Sequence, residues 1–110
     1  MGEEEVSFRD FKKLDIRIAT VKEVERVPGS DKLYKMIVDV GDETRQMISG
    51  LVEYYSESEL EGMRIAVVMN LKPAKIFGQM SYAMLLAAES GQDLALLTTD
   101  REIANGAKIT

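Results

Sequence analysis

The chain has 110 residues, no Cys, no His and no Trp, and a net charge of −5 from 14 Lys+Arg and 19 Asp+Glu. That size is one domain. The composition excludes disulfides, thiolate or His-based nucleophilic catalysis, and Cys- or His-ligated metal sites. No apolar run approaches the roughly 20 residues that span a bilayer, so no membrane role is expected. The start, Met1-Gly2-Glu3-Glu4-Glu5, is acidic without an apolar h-region, which reads as a cytoplasmic chain without a secretory signal.

In chain order, residues 1–6 read as a loosely attached tail and residues 7–110 as the domain. Ser7 is placed to N-cap a short helix over Phe8–Lys13, with Phe8 and Phe11 on one face. Leu14–Val27 alternates in the manner of a half-buried strand, with a phase slip between Ile18 and Val21 that suggests a bulge or bend. Pro28-Gly29-Ser30-Asp31 is a turn. Leu33–Val40 and Thr44–Ile48 form a hairpin around Gly41-Asp42-Glu43. Leu51–Leu60 reads as a short helical connection with Ser56 as a cap and Glu57, Glu59 and Glu61 as a solvated face, and Gly62 stops it. Arg64–Met69 is a nearly continuous apolar strand. Asn70–Lys75 is a polar loop, Ser81–Ala88 and Leu94–Thr98 are further strands, and Lys108-Ile109 is a last short one. Many short strands with frequent turns predict an all-β small barrel. A helix after the third strand suits a five-stranded Greek-key barrel of the oligonucleotide/oligosaccharide-binding (OB-fold) type, here with short helices and extra C-terminal strands.

Three local features could carry function. The first is the turn Gly29–Leu33, where Lys32 and then Lys35 could meet phosphate, or simply be solvated. The second is Asn70–Gly78. No Asp or Glu occurs from Gly62 to Ala88, while Arg64, Lys72 and Lys75 do. Pro73 stiffens the loop between the two lysines. Rigidly held cations can engage a phosphate backbone at low entropic cost, and Phe77 beside them could stack on a base or plug the barrel end. The third is Ser81–Met84, where Tyr82 offers a hydroxyl and a stacking face, with Tyr34 on the second strand another candidate. Core packing is the alternative for each. The methionines Met36, Met47, Met63 and Met69 are expected in the core. No glycine-rich phosphate cradle is present, no carboxylate pair stands out among so many, and no cofactor or metal is expected.

Gly29-Ser30-Asp31-Lys32-Leu33, Val38-Asp39-Val40-Gly41, Ser49-Gly50, Asn70-Leu71-Lys72-Pro73-Ala74-Lys75, Gly78 and the Ser81…Met84 spacing occur in one order, preceded by Phe11–Arg17. Together they resemble the tRNA-binding domain found at the C-terminus of methionyl-tRNA synthetases, in phenylalanyl-tRNA synthetase beta chains and as free-standing dimers. The resemblance covers residues 8–110. It implies an OB-fold barrel that is not an enzyme, binds tRNA by shape and phosphate contacts, forms a homodimer and partners an aminoacyl-tRNA synthetase. Carried over by position, the tRNA-binding residues are Lys32, Asn70, Lys72, Lys75 and Ser81, with Ser49 and Met84 structural. Departures fall at Ala74 and Phe77, where many relatives carry Arg or Lys, and at Met80 and Ala83. A related branch of the same fold comprises secretion chaperones that bind unfolded polypeptides; it generally lacks the Gly29–Leu33 segment.

Overall fold

A computed structural model describes residues 4–110. Of the expected N-terminal tail, residues 1–3 lie outside the described residues, and residues 4–7 run as exposed coil. Ser7 caps helix α1 (Phe8–Phe11), accepting a hydrogen bond from the Asp10 N–H at 3.0 Å. The helix is shorter than the sequence pattern suggests and buries none of its residues.

Strand β1 spans Ile16–Arg26. It pairs antiparallel with β2 (Tyr34–Asp39) on one side and β4 (Arg64–Val68) on the other. β2 pairs in turn with β3 (Thr44–Ser49). The apolar phase of β1 changes for a different reason from the one the alternation suggests. Ile16 and Ile18 face one side and Ala19, Val21 and Val24 the other, and all five are buried because the first half of the strand is covered on both faces. A register shift is present, but it lies between Val21 and Glu23, after the slip.

Inside the barrel, Ala19, Val21, Met36, Val38, Met47, Ile65 and Val67 form the main core. Among the expected core methionines, Met36, Met47 and Met69 are buried and Met63 packs half-buried against them. Outside it, Ile16, Ile18, Ala66 and Val68 are covered by Leu86, Ala107 and Ile109. The C-terminal residues lie along β1 through Ile18 N–H to Ala107 O at 2.9 Å and Ile109 N–H to Ile16 O at 2.8 Å. The expected last strand is thus a single bridge, Arg17 to Lys108. This closure needs two glycines. A Cβ at Gly41 would come within 2.6 Å of the Asn105 carbonyl oxygen, and one at Gly106 within 2.6 Å of that of Val40.

Between β3 and β4 the expected helical connection shrinks to α2 (Glu57–Leu60). A capping box of Ser56 and Glu59 starts it, and Leu60 drops fully buried into the core. The segments after β4 depart most from the sequence reading. The expected polar loop Asn70–Lys75 ends inside a strand, β5 (Ala74–Ile76), which forms a hairpin with β6 (Gln79–Ser81). The expected strand Ser81–Ala88 is broken into the end of β6, β7 (Met84–Leu85) on β4, and β8 (Ala87–Ser90), which pairs with β9 (Asp93–Leu96). One apolar run therefore serves three sheets.

The main sheet has the order β3-β2-β1-β4-β7. It curls so that β3 approaches β6. Tyr82 N–H donates to Gln46 O at 2.9 Å, Gln46 Nε2 to Met80 O at 2.9 Å, and Ile48 N–H to the Ser81 hydroxyl at 3.1 Å. The result is a nearly closed five-stranded Greek-key barrel, the OB-like architecture expected. Among the described residues no helix is long and apolar enough to cross a membrane.

Candidate nucleic-acid interface

OB barrels bind oligonucleotides with the face of their second and third strands and with the loops joining barrel strands one to two and four to five. In this chain those loops are residues 27–33 and residues 69–83, the second carrying the β5–β6 hairpin. They meet. The Phe77 ring would lie 3.3 Å from a Cβ at Gly29, so only a glycine lets the hairpin tip settle on the first loop without displacement.

The first loop is pinned by its backbone. The Ser30 hydroxyl accepts from the N–H groups of both Lys32 and Leu33 at 3.2 Å, and the Lys32 carbonyl accepts from Val52 N–H at 3.2 Å. The Lys32 side chain is left exposed. In the second loop Lys72 and Lys75 are also exposed. Among the described residues none of the three lysines makes an ion pair. Arg64, the other cation of the acid-free stretch, is half-buried at the start of β4 opposite Thr20 and does not belong to this surface.

The lysines of the hairpin do not act as one pair. Ala74 and Ile76 share a groove with Lys72. Alternation along β5 therefore turns Lys75, between them, to the other face of the ribbon. Phe77 sits at the tip, 58% exposed, in the left-handed conformation at φ +53, followed by Gly78 at φ +79. Positive φ at both central residues is what a tight two-residue hairpin demands, and Asn, Asp or Gly usually supplies it. A Phe held there departs from local preference. It does not plug the barrel end.

Three candidates from the sequence have their polar side-chain groups engaged within the chain, two of them buried and Asn70 exposed. Tyr34 is only 3% exposed, and its hydroxyl donates to Tyr55 O at 2.8 Å; its ring faces the core and has no free face for a base. Ser81 is 8% exposed, its hydroxyl taken up by Ile48 N–H and by donation to Ala83 O at 3.1 Å. Asn70 fastens the end of β4 to the start of β1. Its Oδ1 accepts from Asp15 N–H at 2.8 Å and its Nδ2 donates to Lys13 O at 2.7 Å. Tyr82 is partly exposed beside the same loop. Met84, expected to be structural, is half exposed and lines the Lys72 groove.

The sequence reading missed Arg45. Its Nη1 donates to Met69 O at 3.1 Å and to Tyr82 O at 3.0 Å, clamping both ends of the second loop. Its Nε meets Glu43 at 2.8 Å. The visible signal was Glu43-Thr44-Arg45, opposite charges two apart and hence on one face of a strand. That hydrogen bond with Arg45 holds the Glu43 carboxyl below the usual range, and Arg17 does the same for Asp15. These carboxylates neutralise Arg45 and Arg17, leaving Lys32, Lys72 and Lys75 as the free cations of the two loops.

The family model described as "Putative tRNA binding domain" matches residues 16–108. The methionine–tRNA ligase of Thermotoga maritima is 52% identical over 105 residues, covering 96% of this chain and 17% of the ligase. That of Archaeoglobus fulgidus is 49% identical over 106 residues, covering 96% and 16%. The chain thus spans about one-sixth of the length of these relatives. Among solved structures, a MetRS related protein from Pyrococcus horikoshii superposes with a TM-score of 0.92 at 33% identity, covering 98% of this chain and all of the other. Chaperone CsaA from Bacillus anthracis superposes at 0.88 and 29%, covering 97% and all of the other. With the family model matched over the barrel strands and both loops, the chain belongs to the tRNA-binding domain family.

Proposed function

We propose that residues 7–110 form a non-catalytic tRNA-binding module that works in the cytoplasm beside an aminoacyl-tRNA synthetase. The observation that carries this reading is the meeting of the two barrel loops, which brings Lys32, the two faces of an acid-free hairpin with Lys72 on one and Lys75 on the other, and an exposed Phe77 to one end of the barrel. Paired RNA presents phosphate and 2′-hydroxyl groups in a fixed geometry, and cations on pinned loops read that shape. Lys32, Lys72 and Lys75 neutralise phosphate; Phe77 and Tyr82 offer ring faces to unpaired bases. The net charge of −5 then disfavours nucleic acid elsewhere on the molecule and confines binding to this face.

The test is titration of total tRNA at two salt concentrations beside single-stranded DNA. Affinity for tRNA falls steeply with salt, and Lys72→Ala with Lys75→Ala lowers it and flattens the slope by about one unit per lysine, with the fold intact. Unchanged affinity at low salt in the double variant removes the hairpin from the site. Absence of tRNA binding by the parent chain moves the reading to unfolded polypeptide, the ligand class that the chaperone neighbour suggests.

The module is proposed to be a homodimer. Its α1 leaves Phe8 72% exposed and, with Phe11 and Leu14, forms an apolar groove against Ile109. A barrel this small gains from burying such a face. Sedimentation at micromolar concentration gives twice the chain mass, and Phe8→Asp returns it to a monomer; a monomeric parent chain defeats the dimer.

A further inference from the structure

The second loop holds a groove that phosphate contacts alone leave unused. Leu71, Ala74, Ile76 and Met84 line it over Ile48 and Ala83, with Lys72 at its edge. Met84 is 50% and Leu71 41% exposed there, so the groove presents an apolar patch and not a lone exposed side chain. The groove measures about 200 Å³. That is below the range of about 300–1,000 Å³ typical of pockets for drug-sized ligands, and suits a single ring. The Ser81 hydroxyl at its floor is already engaged with Ile48 and Ala83.

We infer that this groove takes one unpaired base of the bound RNA, with Lys72 on the adjoining phosphate. The inference rests on the tRNA-binding reading and adds a subsite to it. A nucleotide couples an apolar ring face to a phosphate, and the groove couples an aliphatic floor to an unpaired cation. Methionine suits the ring, because its polarisable sulfur makes favourable contacts with aromatic groups. With Ser81 engaged, the floor offers no free hydroxyl for reading a base edge, so the subsite takes any base, as stacking sites do. An apolar peptide side chain would fit the floor but has no use for Lys72, which is why the charge favours the nucleotide. Lys75, on the other face of the ribbon, stays with paired phosphates, so the hairpin divides unpaired from paired RNA.

Fluorescence anisotropy of the full chain with an unstructured single-stranded RNA and with a fully paired RNA duplex tests this. Ala74→Leu fills the groove from an exposed strand position. It lowers affinity for the single strand by about tenfold and leaves the duplex unchanged, while Lys75→Ala weakens the duplex. Circular dichroism checks the fold. Should Ala74→Leu disturb it, Met84→Ala, which only shortens a side chain, carries the same readout. Single-strand affinity equal to the parent's in the folded variant overturns the subsite, as does an equal loss on both RNAs. Loss of binding to a fluorescent apolar peptide with RNA unaffected also overturns it and gives the groove to polypeptide. A parent chain that binds neither RNA brings down the tRNA reading itself, a result distinct from failure of the groove alone.

Discussion

The wall formed by β1 and β4 and the hairpin formed by β5 and β6 leave the same strand in opposite states. In the wall, Ile18, Ala19, Ala66 and Val67 are buried, because one face meets the barrel interior and the other meets the C-terminal residues. In the hairpin, a few residues on, only Ser81 is buried, and Lys72, Lys75 and Phe77 project outward. Polar residues in the connecting loop are divided between these states. Asn70 gives its amide to the wall, and Lys72, two positions later, stays free. Identity with a family motif does not distinguish them; the hydrogen bonds do. The wall fixes where the hairpin starts, and the hairpin leaves its cations and its ring exposed.

Cutting into the barrel interior is the strongest way to break this contrast. Met36 is fully buried on β2 within the main core. Met36→Ala costs about 2–5 kcal/mol in a urea titration, a large part of the roughly 5–15 kcal/mol that holds a domain of this kind. Its tRNA affinity well below the unfolding midpoint stays that of the parent, since Met36 touches neither loop's cations. A fall in affinity without loss of stability would show that the hairpin is not independent of the barrel.

Asn70→Ala sharpens the comparison at the junction. It removes the bonds to Asp15 N–H and Lys13 O and costs about 1–2 kcal/mol of stability. The salt dependence of tRNA binding keeps its slope, because no cation is lost. Lys75→Ala gives the reverse: stability unchanged and a slope lower by about one. If Asn70→Ala instead lowers affinity at unchanged stability, its side chain belongs to the RNA site and the division proposed here is wrong.

The same division explains how far the sequence was readable. Strands β1 to β4 and both helix caps could be read because apolar period and capping residues are local signals, and the barrel type followed from their order. Ser81–Ala88 could not be read as three pieces. Its apolar run is equally suited to a strand of one sheet or of three, and hydrogen bonds from Gln46, Ile48 and Val68, distant in sequence, decide which. The Phe77-Gly78 turn was hidden because Phe is an improbable residue at positive φ. Lys72 and Lys75 were legible as cations in an acid-free stretch, and Lys32 as a cation of a turn it shares with Asp31. The intrachain bonds of Tyr34, Asn70 and Ser81 were not legible, because a hydroxyl or amide that binds RNA and one that binds a distant backbone group look alike in sequence.

Acid gives the mildest test and again separates the two regions. Asp15, at the foot of the wall, is held ionised below the usual carboxylate range mainly by its hydrogen bonds with Arg17, and Glu43, beneath the hairpin loop, mainly by those with Arg45. A depressed carboxylate contributes stability that is fully present above its unfolded pKa, near 4, and lost as pH falls through the lower folded value. Urea midpoints are therefore level from neutral pH down to about 5 and decline below about 4. Asp15→Asn makes that decline shallower. Glu43→Gln does so less, because the Glu43 side chain is the more exposed of the two, 46% against 26%, and water screens its pairing. Its second effect is local: Arg45 loses its charge partner while still clamping Met69 O and Tyr82 O. Glu43→Gln thus leaves one more unneutralised cation beside the loop and raises tRNA affinity slightly at neutral pH, with a salt slope steeper by up to about one. An identical acid profile in Asp15→Asn and the parent would show that the wall draws nothing from this pair. A slope unchanged in Glu43→Gln would place Arg45 outside the reach of RNA.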